Sequence, residues 1–497
     1  MDLVSISIYM WSMVALCTII TSMVTTKLAR VRRPITLNPK SKRPLPPVVN
    51  VIALLEHLPR LCTKGVIAVM HDLYTRFGSV FTVSLFGLKA TFLVGPEVSA
   101  HFYQGMDSEI SQGDLYEFTV PMFGKGVGFD IDNATRTEHL RFFIDAIKTS
   151  KLRNHVNSMV QEVEDYFAKW GENGIVDIKH EFEKLLMLIS GHCLLGKEVR
   201  DNMFDEVFSL FHELDSGVGL GSVIFPYIPI PSHIRRDKAH TKLAKIFSKI
   251  VRSRRDSNRP AEQDVLQYLI DSKHRDGSST TEQEVTGWII SMVFAGKHTS
   301  TNSTTWTGAC LLTHDKFLTE ALDEQKHMIQ KHGDHIDYNV LLDMDILHCC
   351  IKEALRMHPV APIIYRKAQK SFVVRTREGD AYDIPEGHNL LSPMIFNNRL
   401  PYIYKDPHMY DPDRFAPKRE EDKVGGMFSY TSFGGGRHIC IGEAYAYMQI
   451  KVIWSHLLRN FELKLESPFP KTNWSKILLE PWGKVMVSYK RRRLPTA

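Results

Sequence analysis

Residues 433–442 read "FGGGRHICIG", three glycines, an arginine and a histidine crowded directly ahead of one cysteine, Cys440. Three readings compete for this stretch: a phosphate loop, a metal or cofactor ligand, and an ordinary glycine turn before a helix. The phosphate reading fails, because no Lys-Ser/Thr follows the glycines and no buried strand precedes them. A second glycine cluster, Gly124-Lys125-Gly126-Val127-Gly128, lacks the GxGxxG spacing and reads as a plain loop.

Three other stretches favour the ligand reading. "EALR" puts Glu353 and Arg356 three apart on a predicted helix, where their side chains can meet; alone, that is a commonplace surface pair. "YDPDRFAP" (410–417) offers Arg414 from a proline-bounded loop as a second guanidinium for the pair. "FAGKHTS" (294–300) lies in a long apolar helix expected to start near Thr281, with the small residues Ala295 and Gly296 breaking it just before His298 and Thr299. The bland alternative there is a glycine at a helix crossing and a threonine bonded to its own backbone.

The 497 residues hold 62 Lys+Arg against 56 Asp+Glu, and the resulting +6 is too small and too scattered to indicate nucleic acid. The densest basic run, residues 490–493, reads as a solvated tail. Seven cysteines, an odd number without a CxxC, make neither a disulfide framework nor a zinc ribbon, and suit a reducing compartment. Residues 3–26 carry no charge and are long enough to cross a bilayer as one helix. Lys27, Arg30, Arg32 and Arg33 follow at once, which places the bulk of the chain on the cytosolic face. The run is too long, and lacks the basic start, for a cleaved signal. The expected organisation is an anchor (1–26), a basic, proline-rich linker (27–50) and a single domain (51–497).

Residues 79–94, "SVFTVSLFGLKATFLV", read as a hairpin. Helical periodicity dominates from about 134 to 330, as in "SMVQEVEDYFAKW" (158–170), and is interrupted by the three prolines of "VIFPYIPIPSHIRR" (223–236). That loop either caps a pocket, touches the bilayer or is simply buried. Short strands are expected in "SFVVRT" (371–376) and "NLLSPMIF" (389–396), a helix in 444–461, and a closing strand in "KVMVSYK" (484–490). The fold class is mainly α with a small β component.

In this order and at these distances, the four stretches resemble the haem-thiolate monooxygenases of the cytochrome P-450 superfamily, and the resemblance spans the chain. It implies the cytochrome P-450 fold behind one N-terminal transmembrane helix, and haem b as cofactor with Cys440 as its axial iron ligand. A thiolate in that place favours O–O cleavage, and a depressed cysteine pKa is expected. Thr299, with His298 beside it, is the implied proton relay, and Glu353, Arg356 and Arg414 the implied bracing network. Tyr116, Arg366, His438 and Arg141 are the implied partners of the haem propionates. Electrons are expected from an NADPH–cytochrome reductase on the endoplasmic reticulum membrane, docking near Cys440 and Arg437, with the enzyme a monomer.

His438 stands where the superfamily usually has arginine. Together with "HTS" and "LYEFTVPMFGKGVGFD" (115–130), it is similar to the sterol 14α-demethylases. "LFGLKATFLVGP", "EDYFAKWGENGIVDIK" and "QIKVIWSHLLRNFELKL" resemble the plant members, which demethylate obtusifoliol by three oxidations ending in C–C cleavage, formate and a ring double bond. Lys297 (for an expected glutamine), Gly128, "MHPVAPIIYR" (357–366) and "SPMIFNNRLP" (392–401) depart from the plant pattern. Drift on solvated positions is the bland explanation of these changes. The other is a member diverged to hydroxylate or epoxidise a pentacyclic triterpene. A haem-thiolate isomerase or dehydratase would dispense with Thr299 and with reductase, and a sterol-binding haem protein would show no turnover.

Overall fold

The computed structural model describes residues 43–85, 88–112, 114–257, 263–492 and 494. The expected membrane span and the basic residues 27–42 lie outside the described residues. None of the described helices is long and apolar enough to cross a membrane. The chain forms two compact units, one made of the described residues up to Gly113 with Ile363–Phe396, the other of Asp114–Pro362 with Asn397–Ala497.

The smaller unit is built on a six-stranded sheet. Strands Val80–Leu85 and Leu88–Leu93 pair antiparallel with Phe81 opposite Phe92, in the expected hairpin. Val48–Val49 adds in parallel on one side and Asn389–Ser392 on the other. Ile364–Ala368 and Ile110–Ser111 complete the order by antiparallel pairing. Both faces are covered at this end of the hairpin: Val80 and its partner Leu93 are buried on one face and Phe81 on the other, and Thr82 bonds Thr91 at 2.9 Å within the sheet. The strand expected to run through 389–396 stops at Ser392. Pro393 has no N–H to give the ladder, and a short helical turn, Met394–Asn397, follows. The Phe396 ring packs 5.6 Å from that of Tyr74.

The larger unit is organised around one 30-residue helix, Glu282–Leu311. Thr281 starts it with a capping box: its hydroxyl accepts from Glu284 N at 3.2 Å, and the Glu284 carboxylate accepts from Thr281 N at 2.7 Å. Polar residues persist in its buried second half because Thr301, Thr304, Thr305 and Thr307 each donate to the carbonyl four residues back, at 2.7–2.8 Å. Helices Ile178–Ser190, Pro231–Arg255, Asp345–Met357 and Glu443–Asn460 pack around it. The last of these is locked by Trp454, whose Nε1 donates to Thr304 O at 3.0 Å. Its indole lies so close that a Cβ on Gly308 would collide with it.

Two expectations change. In 223–236 the third proline is not loop but the first residue of helix Pro231–Arg255, where a missing N–H costs nothing. The basic run 490–492 is not a solvated tail. Lys490 and Arg491 end strand Met486–Arg491, which pairs with Phe461–Leu465 and Asn173–Asp177, and Arg491 donates to the carbonyls of Phe167 and Trp170.

Candidate active site

The Cys440 loop is folded by its glycines. Gly434 (φ 76°) and Gly436 (φ 62°) take left-handed backbone that side chains resist, with extended Gly435 between them. Cys440 N donates to Phe433 O at 2.8 Å and Gly434 N to Thr431 O at 2.8 Å, closing the loop on itself. Helix Glu443–Asn460 begins three residues later. The thiol therefore lies at a helix N-terminus, which favours a negative sulfur. Cys440 is solvent-accessible, yet burial among protein atoms is the largest influence on its thiol and raises the pKa; a backbone hydrogen bond from Gly442 opposes the rise, and Glu443 adds to it. Accessibility with crowding describes a group on the wall of a hollow, not on a convex surface. The expected depressed pKa is thus absent in the protein alone, and coordination to a metal would be what deprotonates the thiol.

The Glu282–Leu311 helix has an open side near its middle. Residues 285–290 and 300–311 of the helix are buried, but Ala295 is exposed, and a Cβ on Gly296 would meet nothing within 4 Å. The expected small-residue break does not interrupt the helix, which is continuous through this point. Thr299 Oγ1 donates to Ala295 O at 2.7 Å. The Phe123 and Phe294 rings meet edge to face at 5.5 Å, and Phe294 lies 6.3 Å from the His298 ring. His298 Nε2 pairs with Asp215 Oδ2 at 2.8 Å. Lys297 is not solvated: its side chain is 0% exposed, with Nζ 2.6 Å from Asp215 Oδ2 and 3.1 Å from Glu183 Oε1.

The Glu353 network is fully buried. Arg356 grips both Glu353 oxygens, Nε to Oε2 at 2.6 Å and Nη2 to Oε1 at 2.8 Å, and Arg414 Nε reaches Oε1 at 3.0 Å. Two guanidiniums on one carboxylate would leave a buried charge, and Glu421 balances it by pairing with Arg414 and Arg419. The remaining donors of Arg356 go to the carbonyls of Asn398 (2.8 Å) and Pro407 (2.9 Å), so the helix is tied to the loop leading to the cysteine turn.

The other site residues are dispersed. His438 ends the short helical turn Gly436–His438, two residues from Cys440. Tyr116 stacks on Phe129 with ring centroids 4.7 Å apart. Arg141 is engaged with Lys273 O at 3.0 Å and Glu138 at 3.7 Å. Arg366 belongs to the smaller unit, on strand Ile364–Ala368, with its guanidinium 5.6 Å from the Phe102 ring. Asp215, Glu183 and Glu421 escaped the reading of the sequence. Each is a lone acid far along the chain from its partner, with no local pattern to mark it.

A thiol as soft donor, a glycine cradle beneath it and open space over Gly296 fit a planar iron cofactor held by sulfur. The comparisons agree. The family model "Cytochrome P450" matches residues 40–486. A sterol 14-demethylase of Arabidopsis thaliana is 53% identical over 456 residues, covering 92% of each chain. An obtusifoliol 14-alpha demethylase of Sorghum bicolor is 52% identical, over 91% of this chain and 92% of its own. A lanosterol 14-alpha demethylase of Bos taurus is 34% identical over 91% of this chain and 89% of its own. Among solved structures, a retinoic acid bound cyanobacterial CYP120A1 superposes with a TM-score of 0.77 at 20% identity, over 91% of this chain and all of that one, and so shares the fold. The chain belongs to the cytochrome P450 family and is a haem-dependent monooxygenase.

Proposed function

We propose that this protein removes the 14α-methyl group of a plant sterol such as obtusifoliol, using dioxygen and electrons from an NADPH-dependent reductase. The observation that carries the reading is identity above 50% with plant 14-demethylases along nine-tenths of the chain. The catalytic domain is 51–497, anchored by 1–26 through the linker 27–50 on the cytosolic face of the endoplasmic reticulum. Charge-free residues 3–26 and the basic residues after them support that placement.

Haem, held by a cysteine thiolate, supplies the activation of dioxygen. Cys440 would hold the iron through its sulfur, and its glycine loop would allow the close backbone approach that side chains would block. Tyr116, Arg366, His438 and Arg141 would partner the propionates on the resemblance alone. The hydroxyl of Thr299 now donates to Ala295 O. Rotation would turn it toward the open side at Gly296, where it can pass a proton, with the His298–Asp215 pair behind it. Glu353, Arg356 and Arg414 brace the cysteine side and take no part in the chemistry.

A second reading, oxidation of a pentacyclic triterpene, is favoured by Gly128. It sits at φ 64° beside Phe123, and a Cβ there would lie 4.0 Å from that ring. The departure therefore leaves space beside Phe123, whose ring packs on Phe294 one turn before His298. Titration of the purified protein with each class of ligand, watching the haem Soret band, separates the two. Obtusifoliol is expected to shift the spin state; a shift with a pentacyclic triterpene and none with obtusifoliol would retire the demethylase reading.

A further inference from the structure

Lys297 is a buried ammonium placed next in sequence to the candidate relay histidine. Three helices of the larger unit meet around it. Ile178–Ser190 supplies Glu183, Phe204–Asp215 supplies Asp215, and Glu282–Leu311 supplies Lys297 and His298. Lys297 Nζ at 2.6 Å and His298 Nε2 at 2.8 Å both address the same atom, Asp215 Oδ2, while Asp215 Oδ1 is buried with no hydrogen bond. Glu183 Oε1, at 3.1 Å, is the second anion within reach of the ammonium, and the Phe208 ring lies 5.5 Å away. Helix Pro231–Arg255 packs on the same central helix, through Ser248–Thr286 and the ion pair Arg252–Glu282 in the first turn of that helix.

Asp215 is an anion in an unfavourable place. It is the last residue of its helix, where the negative end of the dipole opposes a carboxylate. Burial pushes its pKa up further, yet the hydrogen bonds and charges of His298 and Lys297 outweigh that and hold it below the ordinary value. The carboxylate therefore needs a standing cation. Without Lys297, His298 is the one cation-forming side chain paired with Asp215 among the described residues.

We propose that Lys297 is a positioning residue for the oxidation: it acts as the permanent counter-ion of Asp215, which releases His298 from that duty so that it can pass protons beside Thr299. This rests on the monooxygenase reading, in which His298 and Thr299 form the relay. With His298 neutral, the cluster of Lys297, Asp215 and Glu183 carries one net negative charge. Removing the ammonium leaves two, and the cluster then holds a proton to higher pH.

The test uses the full-length holoenzyme with its reductase. Lys297→Gln is expected to lower kcat about tenfold with KM little changed, and to move the acid limb of the kcat–pH profile up by about one unit. Lys297→Arg, which keeps the charge, is expected to restore most of kcat. NMR of ring-labelled histidine in the reduced, carbon-monoxide-bound holoenzyme gives a readout without turnover, and the cluster histidine is expected to titrate at higher pH in Lys297→Gln than in the natural protein. Glu183→Gln removes an anion from the part-exposed side, so it keeps the test available should Lys297→Gln not take up haem; its acid limb is expected to move down. An unmoved limb and histidine titration in Lys297→Gln, or a limb that rises or stays in Glu183→Gln, would overturn the proposal and leave Lys297 a structural clamp. The histidine titration needs no substrate. Absence of sterol turnover would therefore sink the demethylase reading alone and leave the titration to decide Lys297.

Discussion

Cys440 shows two local forces in opposition. The helix N-terminus and the Gly442 N–H favour the thiolate, but burial is the larger influence and keeps the proton on. Cys440→Ala is therefore expected to leave the fold intact and to abolish the thiolate-type Soret band of the reduced carbon-monoxide complex; a variant that kept the band would contradict the ligand assignment. Thr299→Ala is expected to lower kcat about 100-fold, within the range of a lost proton-transfer group, while the sterol-induced spectral shift survives. A shift lost along with turnover would make Thr299 a binding residue instead. At this scale the sequence was readable where function is packed into a short run. Cys440 and the pair Glu353 and Arg356 stand in local motifs, and Arg414 in a recognisable loop. The bland alternative of a solvated Lys297 fails, yet nothing local told it apart, because one lysine on an apolar helix carries no sign of the two distant carboxylates that make its burial tolerable.

Elements are held to one another by a few contacts that leave little slack. The Glu443–Asn460 helix approaches the central helix through Trp454 over Gly308, so Gly308→Ala should cost about 1–3 kcal/mol by overpacking. The measurement is the urea midpoint of the holoprotein against that of a control Gly→Ala at Gly221, where a Cβ meets nothing within 4 Å. Equal losses would contradict the packing account. Glu353→Gln leaves Arg356 and Arg414 buried without their shared anion, a loss of about 3–5 kcal/mol. Poor haem retention in purified protein would report it, and full retention with an unchanged midpoint would show that the network is dispensable. Periodicity and caps made the long helices and the hairpin legible in advance. The end of the 389–396 strand and the true place of residues 490–492 were not, since both depend on partners supplied by other parts of the fold.

On the scale of the whole molecule, burial keeps several histidines neutral. It lowers His348 and His456 from 6.5 to about 4, and His358 well below its ordinary value. Between pH 6.5 and 4 the unfolded chain binds protons that the folded one refuses, so stability should fall on acidification across that window, by up to about 1.4 kcal/mol per pH unit for each such group. His456→Phe, which retains a ring against Phe167, should make the fall shallower; an unchanged slope would show that His456 is not among the groups responsible. The division into two units was not visible in the sequence, because the smaller unit is assembled from two separated stretches with no linker composition between them. Sterol demethylation by this protein is tested most directly by a single assay. Obtusifoliol carrying an isotope label in the 14α-methyl carbon is incubated with the full-length protein, reductase and NADPH, and the label is followed. The expected result is labelled formate, released only with NADPH and absent with Cys440→Ala. Label retained in the sterol, with oxygen instead inserted into a pentacyclic triterpene, would contradict it.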